Sequence, residues 1–168
     1  MDAEQLRAVQ APLKQKYKDQ PEQAQWVLMA KGSLHQSQLT CHIETGASKV
    51  EAGLHPATGG DGKAACSGDM LLESLAACAG VTLTTVATAL GITLNKGDVY
   101  VEGDLDFRGT FGVSKEVPVG FSDIRLRFDI DSNATPEQLS SLLKLTERYC
   151  VIFQTLSKPP TISVDINS

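Results

Sequence analysis

Two cysteines stand in the apolar stretches of the two strongest helical segments of the chain. Cys78 lies within LLESLAACAGVTL, and Cys150 lies within LTERYCVIFQTL, 72 residues further on. If these helices pack against each other, the two thiols meet in a dry pocket and can act as a dithiol–disulfide pair. The alternative is that both thiols are inert, because free cysteine often fills core space as a small apolar side chain.

Small residues around Cys78 bear on whether the two sulfurs can meet. A disulfide requires Cα atoms within roughly 7 Å, whereas packed helix axes usually lie about 8–10 Å apart. Close approach therefore needs small residues at the crossing. Because such residues also suit two core helices with inert thiols, the pattern leaves both interpretations open. The sequence provides four of them: Ala76, Ala77, Ala79 and Gly80.

Cys66 stands directly before Ser67, at the predicted start of the first long helix. The free N–H groups and the dipole of a helix N-terminus lower the pKa of a thiol there. Cys66 is therefore either an additional redox thiol or a buried turn residue. The cysteines form no CxxC pair, and the N-terminal residues lack the apolar run of a secretory signal. We expect reduced thiols in a cytoplasmic protein.

No pattern in the chain predicts a metal or a cofactor. Cys41 and His42 are neighbours on a predicted strand and point to opposite faces, so they cannot chelate together. The run Asp129–Asn133 starts like a calcium loop but lacks the turn glycine and the closing glutamate. The glycine-rich run Gly60–Ala65 lacks the acidic residue that a dinucleotide loop needs about 20 positions later.

Charge and hydropathy exclude two further classes of partner. The net charge of −5 argues against a nucleic-acid binder, which carries a basic face. The stretch from Ser74 to Leu94 has no charged residue and is nominally long enough to span a membrane. It is rich in threonine, alanine and glycine and lacks flanking aromatic and basic anchors, so we predict a buried core helix.

Periodicity and end signals predict the elements that position these residues. The first long helix runs from Ser67 to Gly91, and apolar residues almost all the way round it predict a buried helix. A capping box at Thr135 opens a second long helix whose apolar stripe includes Cys150. Three extended runs separated by turns and three later alternating runs predict strands, and one further helix is predicted at Glu4–Lys18. The strands are Gln25–Lys31, Leu39–Glu44, Lys49–Leu54, Val99–Phe107, Ile124–Ile130 and Thr161–Ile166.

The segment SGDMLLESLAACAGVTL, together with the cysteine in LTERYCVIFQTL, resembles the OsmC/Ohr family of hydroperoxide-reducing proteins. The resemblance covers about residues 25–166 and implies one OsmC-like domain over residues 1–168, with residues 1–20 as an N-terminal helical extension. It implies an α+β fold in which antiparallel sheets wrap around two long buried helices. In that family two chains intertwine into a homodimer with both active sites at the interface.

The resemblance also implies roles for individual residues. Cys78 matches the cysteine that attacks the peroxide, and Cys150 matches the resolving cysteine. Asp69 is the best match for the acidic helper of the family. An external dithiol would reduce the resulting disulfide. Apolar side chains such as Leu75 and Phe153 favour organic hydroperoxides as substrates.

The chain departs from the family pattern in two places. Better-characterised members have a glutamate ten residues before the reactive cysteine, where this chain has Gly68 followed by Asp69. They also place an arginine from the early sheet against the thiol, and this chain has no arginine between Arg7 and Arg108. Lysine does not replace it, because lysine cannot make a bidentate clamp.

We therefore expect a cytoplasmic, homodimeric thiol peroxidase that reduces organic hydroperoxides through Cys78 and Cys150 in oxidative-stress defence. The alternative is a non-catalytic OsmC-like protein that binds a small molecule or senses redox state, and the missing arginine favours it. A third interpretation is a structural dimer with inert buried thiols.

Overall fold

The computed structural model describes residues 1–45 and 48–167. The fold is α+β, as predicted. Within the described residues the helices are α1 (Ala3–Asp19), α2 (Ser67–Ala89), α3 (Phe107–Thr110), α4 (Pro136–Tyr149) and α5 (Val151–Ser157). The strands are β1 (Lys31–His35), β2 (Thr40–Thr45), β3 (Ser48–Gly53), β4 (Ala65–Cys66), β5 (Leu94–Asp104) and β6 (Asp123–Ser132).

Interleaved stretches of the chain form two compact units. The sheet unit consists of Ala8–Glu73 and Val101–Leu126. The helical unit consists of Met1–Arg7, Ser74–Tyr100 and the chain from Arg127 onward. Both Cys78 and Cys150 belong to the helical unit, so the geometry of this pair lies within one compact body.

The sheet unit contains a four-stranded sheet in the order β1-β2-β3-β4. β1, β2 and β3 pair antiparallel, and the short β4 pairs parallel to β3, with Cys66 opposite Gly53. The second and third predicted strands are confirmed to within one residue at each end. One face of the sheet is polar: the His42 ring lies 3.4 Å from the Glu51 carboxylate and 4.1 Å, centroid to centroid, from the His35 ring.

The first predicted strand, Gln25–Lys31, is wrong, because the strand begins only at Lys31. Residues 25–30 precede it without strand pairing in the described chain. Alternating or continuous apolar residues form a strand when a neighbouring strand and a core are available to them. Here the side chains from Trp26 to Met29 are 77% to 90% exposed, so neither partner is present.

The predicted last strand, Thr161–Ile166, is wrong for the same reason. The segment pairs with no strand among the described residues. Its apolar side chains Ile162, Val164 and Ile166 are 81% to 92% exposed. The alternation that predicted a half-buried strand is present, but nothing in the described chain covers its apolar face.

Helix α2 begins at Ser67, as predicted, and ends before Gly91. Gly91 adopts a positive φ of 70°, a left-handed conformation that favours glycine after a helix. The predicted burial all round the helix is wrong, since Val81 is 69% exposed. Spacing by four residues instead aligns the buried side chains into one stripe. The stripe consists of Leu75, Ala79, Leu83 and Ala87.

By length and composition α2 is the one helix in the described part of the chain that is apolar enough to cross a membrane. The core helix of a soluble protein meets the same condition. In the single chain 28% of the apolar window of α2 is buried, along the stripe from Leu75 to Ala87.

The core of the helical unit lies where α2 meets α4 and the β5–β6 pair. Leu83, Ala87, Ile92 and Leu142 are buried together, and Phe128 and Ile130 of β6 pack against them. The side chains of β6 alternate between exposed and half-buried, as the sequence pattern predicted. The capping box of α4 is also confirmed: Gln138 N donates to Thr135 Oγ1 at 3.3 Å, and Thr135 N donates to Gln138 Oε1 at 2.9 Å.

The predicted continuous second helix is wrong, because the helix breaks at Cys150. α4 ends at Tyr149 and α5 begins at Val151, while Cys150 has extended dihedral angles of φ −73° and ψ 110°. Cys150 nevertheless forms one hydrogen bond with each of the two helices. Its N–H donates to Thr146 O at 2.9 Å, and its Sγ accepts from Phe153 N at 3.5 Å as the N-cap of α5.

Two adjacent leucines of α4 test where the core lies. Leu142 is 1% exposed and Leu143 is 45% exposed. We expect Leu142→Ala to lower the free energy of unfolding by roughly 2–5 kcal/mol, because it leaves a cavity in a closed core. We expect Leu143→Ala to cost less than about 1 kcal/mol. Urea denaturation followed by circular dichroism measures both, and equal losses in the two variants would contradict this core.

Candidate thiol redox site

The structure brings the two predicted cysteines together. The thiols of Cys78 and Cys150 lie close enough for each to shift the pKa of the other, although the two residues are 72 positions apart in sequence. Cys150 is 1% exposed and Cys78 is half-buried. Both are free thiols. Of the small residues predicted at a helix crossing, Ala79 is fully buried and Ala77 is exposed, while a side chain at Gly80 would lie 3.6 Å from Val99 of β5, so the predicted role of this group at a crossing of two helices stays a prediction.

Hydrogen-bond donors around Cys78 stabilise its thiolate. Burial alone would raise the pKa of Cys78, because a buried charge loses its hydration. The N–H group of Ile152, the Cys150 thiol, the N–H group of Val151 and the Thr82 hydroxyl all donate toward the sulfur. Together they outweigh burial, and the pKa of Cys78 lies below its usual range.

The helix break at Cys150 supplies the two main-chain donors. Val151 and Ile152 are the first residues of α5, and the first N–H groups of a helix have no carbonyl partner within it. In an unbroken helix the same N–H groups would bond to carbonyls one turn earlier. The sequence carried only a weak signal of the break, namely the β-branched pair Val151-Ile152, which lowers helix propensity slightly.

The pKa of Cys150 shifts in the opposite direction. Burial is the main cause of its rise, and the hydrogen bond to Cys78 and the negative charge there add to it. The N–H groups of Phe153 and Ile152 act against the rise without cancelling it. The thiol of Cys78 is therefore the better anion, and the thiol of Cys150 is the one that keeps its proton.

Thr82 is a site residue that the sequence analysis missed. Three other threonines of α2, namely Thr84, Thr85 and Thr88, donate to the carbonyl oxygen one turn back. The Thr82 hydroxyl instead donates toward the Cys78 thiol. The spacing was the available signal, because residues four apart lie on the same face of a helix.

The remaining predicted site residues lie in the sheet unit. Asp69 is exposed in the first turn of α2, and Cys66 is half-buried in β4, directly before that helix. The geometry of Cys78 and Cys150 involves residues of the helical unit, so the roles of Asp69 as acidic helper and of Cys66 as redox thiol stay predictions. Nowhere in residues 1–45 and 48–167 do three metal-binding side chains cluster.

Comparison with solved structures places the fold among OsmC-like and organic hydroperoxide resistance proteins. An OsmC-like protein from Mycoplasma pneumoniae aligns with a TM-score of 0.67 at 19% identity, over 80% of this chain and 89% of the other. An organic hydroperoxide resistance protein OsmC from Legionella pneumophila aligns with a TM-score of 0.61 at 20% identity, over 79% and 90%. An organic hydroperoxide resistance protein from Elizabethkingia anophelis gives 0.63 at 14%, over 80% and 91%.

At these identities the likeness to solved structures concerns the fold. No curated protein matches the sequence. The family model for OsmC-like proteins matches residues 60–165, a stretch that includes both Cys78 and Cys150. This match covers well over half of the chain and confirms the family predicted from the sequence. The chain belongs to the OsmC-like protein family.

Proposed function

We propose that the protein is a cytoplasmic, homodimeric thiol peroxidase that reduces organic hydroperoxides in oxidative-stress defence. The observation that carries the proposal is the neighbouring pair of Cys78 and Cys150, whose pKa values shift in opposite directions. A peroxidatic cysteine needs a stabilised thiolate, and a resolving cysteine must stand beside it. The names of the Legionella and Elizabethkingia proteins, as organic hydroperoxide resistance proteins, support the same reaction class.

The reaction begins at the Cys78 thiolate. Its sulfur attacks the terminal oxygen of the hydroperoxide, the O–O bond breaks, and the alkoxide leaves as an alcohol after taking up a proton. Cys78 becomes a sulfenic acid. The Cys150 sulfur then attacks the Cys78 sulfur, a disulfide forms, and water leaves with the sulfenic oxygen. An external dithiol returns both cysteines to thiols and is itself oxidised to a disulfide.

Apolar surroundings support an organic substrate. Leu75 of α2 is 2% exposed, and Phe153 of α5 is half-buried beside the cap that Cys150 forms. An apolar wall gains free energy from the hydrocarbon part of a substrate and gives nothing comparable to hydrogen peroxide. We therefore expect organic hydroperoxides to be preferred.

Two exposed apolar segments support a homodimer. The side chains from Trp26 to Met29 and those of Ile162, Val164 and Ile166 are nearly fully exposed in the single chain. Runs of neighbouring apolar side chains with such high exposure mark interaction surfaces. A second copy that pairs with these segments would provide both the missing strand partners and the missing cover.

The second candidate is a small-molecule-binding or redox-sensing protein on the same scaffold. The absence of any arginine between Arg7 and Arg108 favours it, because the family's early-sheet arginine then has no counterpart. The donors from Val151, Ile152 and Thr82 weigh against it, since they stabilise the Cys78 thiolate without a cation. An inert structural dimer is the third candidate.

Treatment with one equivalent of cumene hydroperoxide separates these candidates. We expect a Cys78–Cys150 disulfide within seconds in the wild-type protein, with no such disulfide in Cys78→Ser or Cys150→Ser. Quenching followed by mass spectrometry of peptides measures this. Cys150→Ser should accumulate oxidised Cys78, because the sulfenic acid then has no resolving thiol.

Cys66→Ser serves as the matched control in the same experiment. Unchanged kinetics in this variant would leave Cys66 as a turn residue, whereas slower turnover would give it a redox role. Thiols that remain free for minutes in the wild-type protein would refute the peroxidase and leave the binding or sensing protein.

Val151→Pro tests the source of thiolate stabilisation. Proline is tolerated at the first position of a helix, and Cys150 is already extended, so the variant removes one N–H donor while keeping α5. The pKa of Cys78 should rise, and its alkylation at pH 7 should slow by roughly threefold to tenfold. Val151→Ala keeps the N–H group and should react like the wild type. Equal alkylation profiles in all three proteins, measured with iodoacetamide between pH 5 and 10, would contradict the role of this N–H group.

Light scattering on the eluting protein tests the homodimer. We expect twice the 18.0 kDa mass of the chain for the wild type. Val164→Glu should lower the dimer fraction, because a charge would enter the covered apolar face. Val113→Glu, which changes a valine of 74% exposure outside the two apolar segments, is the control. A monomeric wild type, or equal behaviour of the two variants, would contradict the interface.

A further inference from the structure

A groove opens on the helical unit where α4 ends and α5 begins. It has a volume of about 480 Å³ and is lined by Tyr149, Cys150, Val151 and Pro160, among others. Tyr149 and Val151 are more than half exposed, whereas Cys150 is 1% exposed. Exposed apolar side chains thus stand at the groove together with a buried cysteine.

Two cations stand at this groove. Arg148 lies in the last turn of α4, and Lys158 follows the last residue of α5. The Arg148 guanidinium lies 5.5 Å from the centre of the Tyr149 ring, a cation–π contact that holds it near the rim. Within residues 1–45 and 48–167 neither cation forms an ion pair, and no acidic side chain lines the groove. The groove therefore suits an anionic group attached to an apolar body.

The reduction of the Cys78–Cys150 disulfide indicates what this groove could bind. A thiol that reduces the Cys78–Cys150 disulfide attacks one sulfur and expels the other as a thiolate. The pKa of Cys78 is lowered and that of Cys150 is raised, so Cys78 is the better leaving group. Attack at Cys150 is therefore favoured, and Cys150 is the cysteine that lines the groove.

We propose that the groove is the docking site of the reducing thiol, that this thiol carries a carboxylate or a similar anionic group held by Arg148 and Lys158, and that it attacks the sulfur of Cys150. The proposal rests on the proposed thiol peroxidase function. It names the class of reductant and the sulfur that is attacked, neither of which follows from the presence of the two cysteines alone.

The step balances with two thiols or one dithiol. The reductant thiolate forms a bond to Cys150 Sγ, the Cys78–Cys150 bond breaks, and Cys78 leaves as a thiolate. The second thiol, as thiolate, attacks the reductant sulfur of this mixed disulfide and releases Cys150, which takes up a proton. Two electrons pass from the reductant to the protein, and the reductant leaves as a disulfide.

Three small thiols of different charge test the docking site: mercaptopropionate is anionic, mercaptoethanol is neutral and cysteamine is cationic. The disulfide form of the full-length protein is mixed with each, and free protein thiols are counted after acid quenching. The variant Arg148→Gln/Lys158→Gln removes both cations. Lys96→Gln/Lys144→Gln removes two exposed cations that do not line the groove and is the matched control.

We expect the groove variant to slow reduction by mercaptopropionate roughly threefold to tenfold at low salt. Reduction by mercaptoethanol should change little, and reduction by cysteamine should change little or accelerate. For each thiol, the reduction rate of a variant is divided by that of the wild type, and this ratio does not depend on the intrinsic reactivity of the thiol. The proposal is overturned if the groove variant slows all three thiols equally, or if the control variant shows the same selective loss.

The mixed disulfide identifies the attacked sulfur. Mercaptoethanol is added to the disulfide form together with iodoacetamide, and peptides are analysed by mass. We expect the adduct on Cys150 and the alkyl group on Cys78. The reverse assignment overturns the proposed attack.

Preparation of the disulfide keeps this test separate from that of the proposed function. If cumene hydroperoxide forms no disulfide, the peroxidase fails, but diamide can still oxidise the pair and the thiol series can be run. If the disulfide forms by either route and charge selectivity is absent, the docking site alone fails. A pair that no oxidant joins overturns both.

Discussion

The chemistry of this protein depends on where one helix stops. Had α4 continued through Cys150, the N–H groups of Val151 and Ile152 would have been used up in main-chain hydrogen bonds. Because the chain turns extended at Cys150 and starts a new helix, those donors point to the sulfur of Cys78. The same turn places the Cys150 thiol next to Cys78. A single extended residue thus accounts both for the N–H groups that lower the pKa of Cys78 and for the second thiol beside it.

Much of this arrangement was predictable from the sequence. Which elements were predicted correctly, and which were not, has a physical explanation. Periodicity and end signals located α2, the capping box at Thr135 and the alternation of β6, because each depends on neighbours in sequence. The pairing of Cys78 with Cys150 was predicted from the resemblance to a family. The break at Cys150 was not predicted, because it depends on packing and on the N-cap that the Cys150 sulfur provides for α5. Neither has a strong signal in the local sequence.

The wrong strand predictions have a different cause. The segments from Trp26 to Met29 and from Ile162 to Ile166 have the apolar content of strands, and a strand forms only where another strand supplies hydrogen bonds. The single chain supplies none to these residues in the part that the structure describes. The apolar pattern of these segments therefore predicted strands that have no pairing partner within the described residues, and the proposed second copy would supply one. The exposed face of α2 at Val81 is consistent with the same requirement.

The cap that Cys150 provides for α5 has a thermodynamic consequence. In the dithiol state its sulfur accepts the N–H of Phe153 and so contributes to the stability of a helix of seven residues. Any difference in that cap between the dithiol and the disulfide enters the reduction potential of the pair. In the proposed redox cycle, the stability of α5 and the reduction potential of the two cysteines are therefore linked. A substitution that changes only the helix thus also changes how readily the pair gives up its electrons.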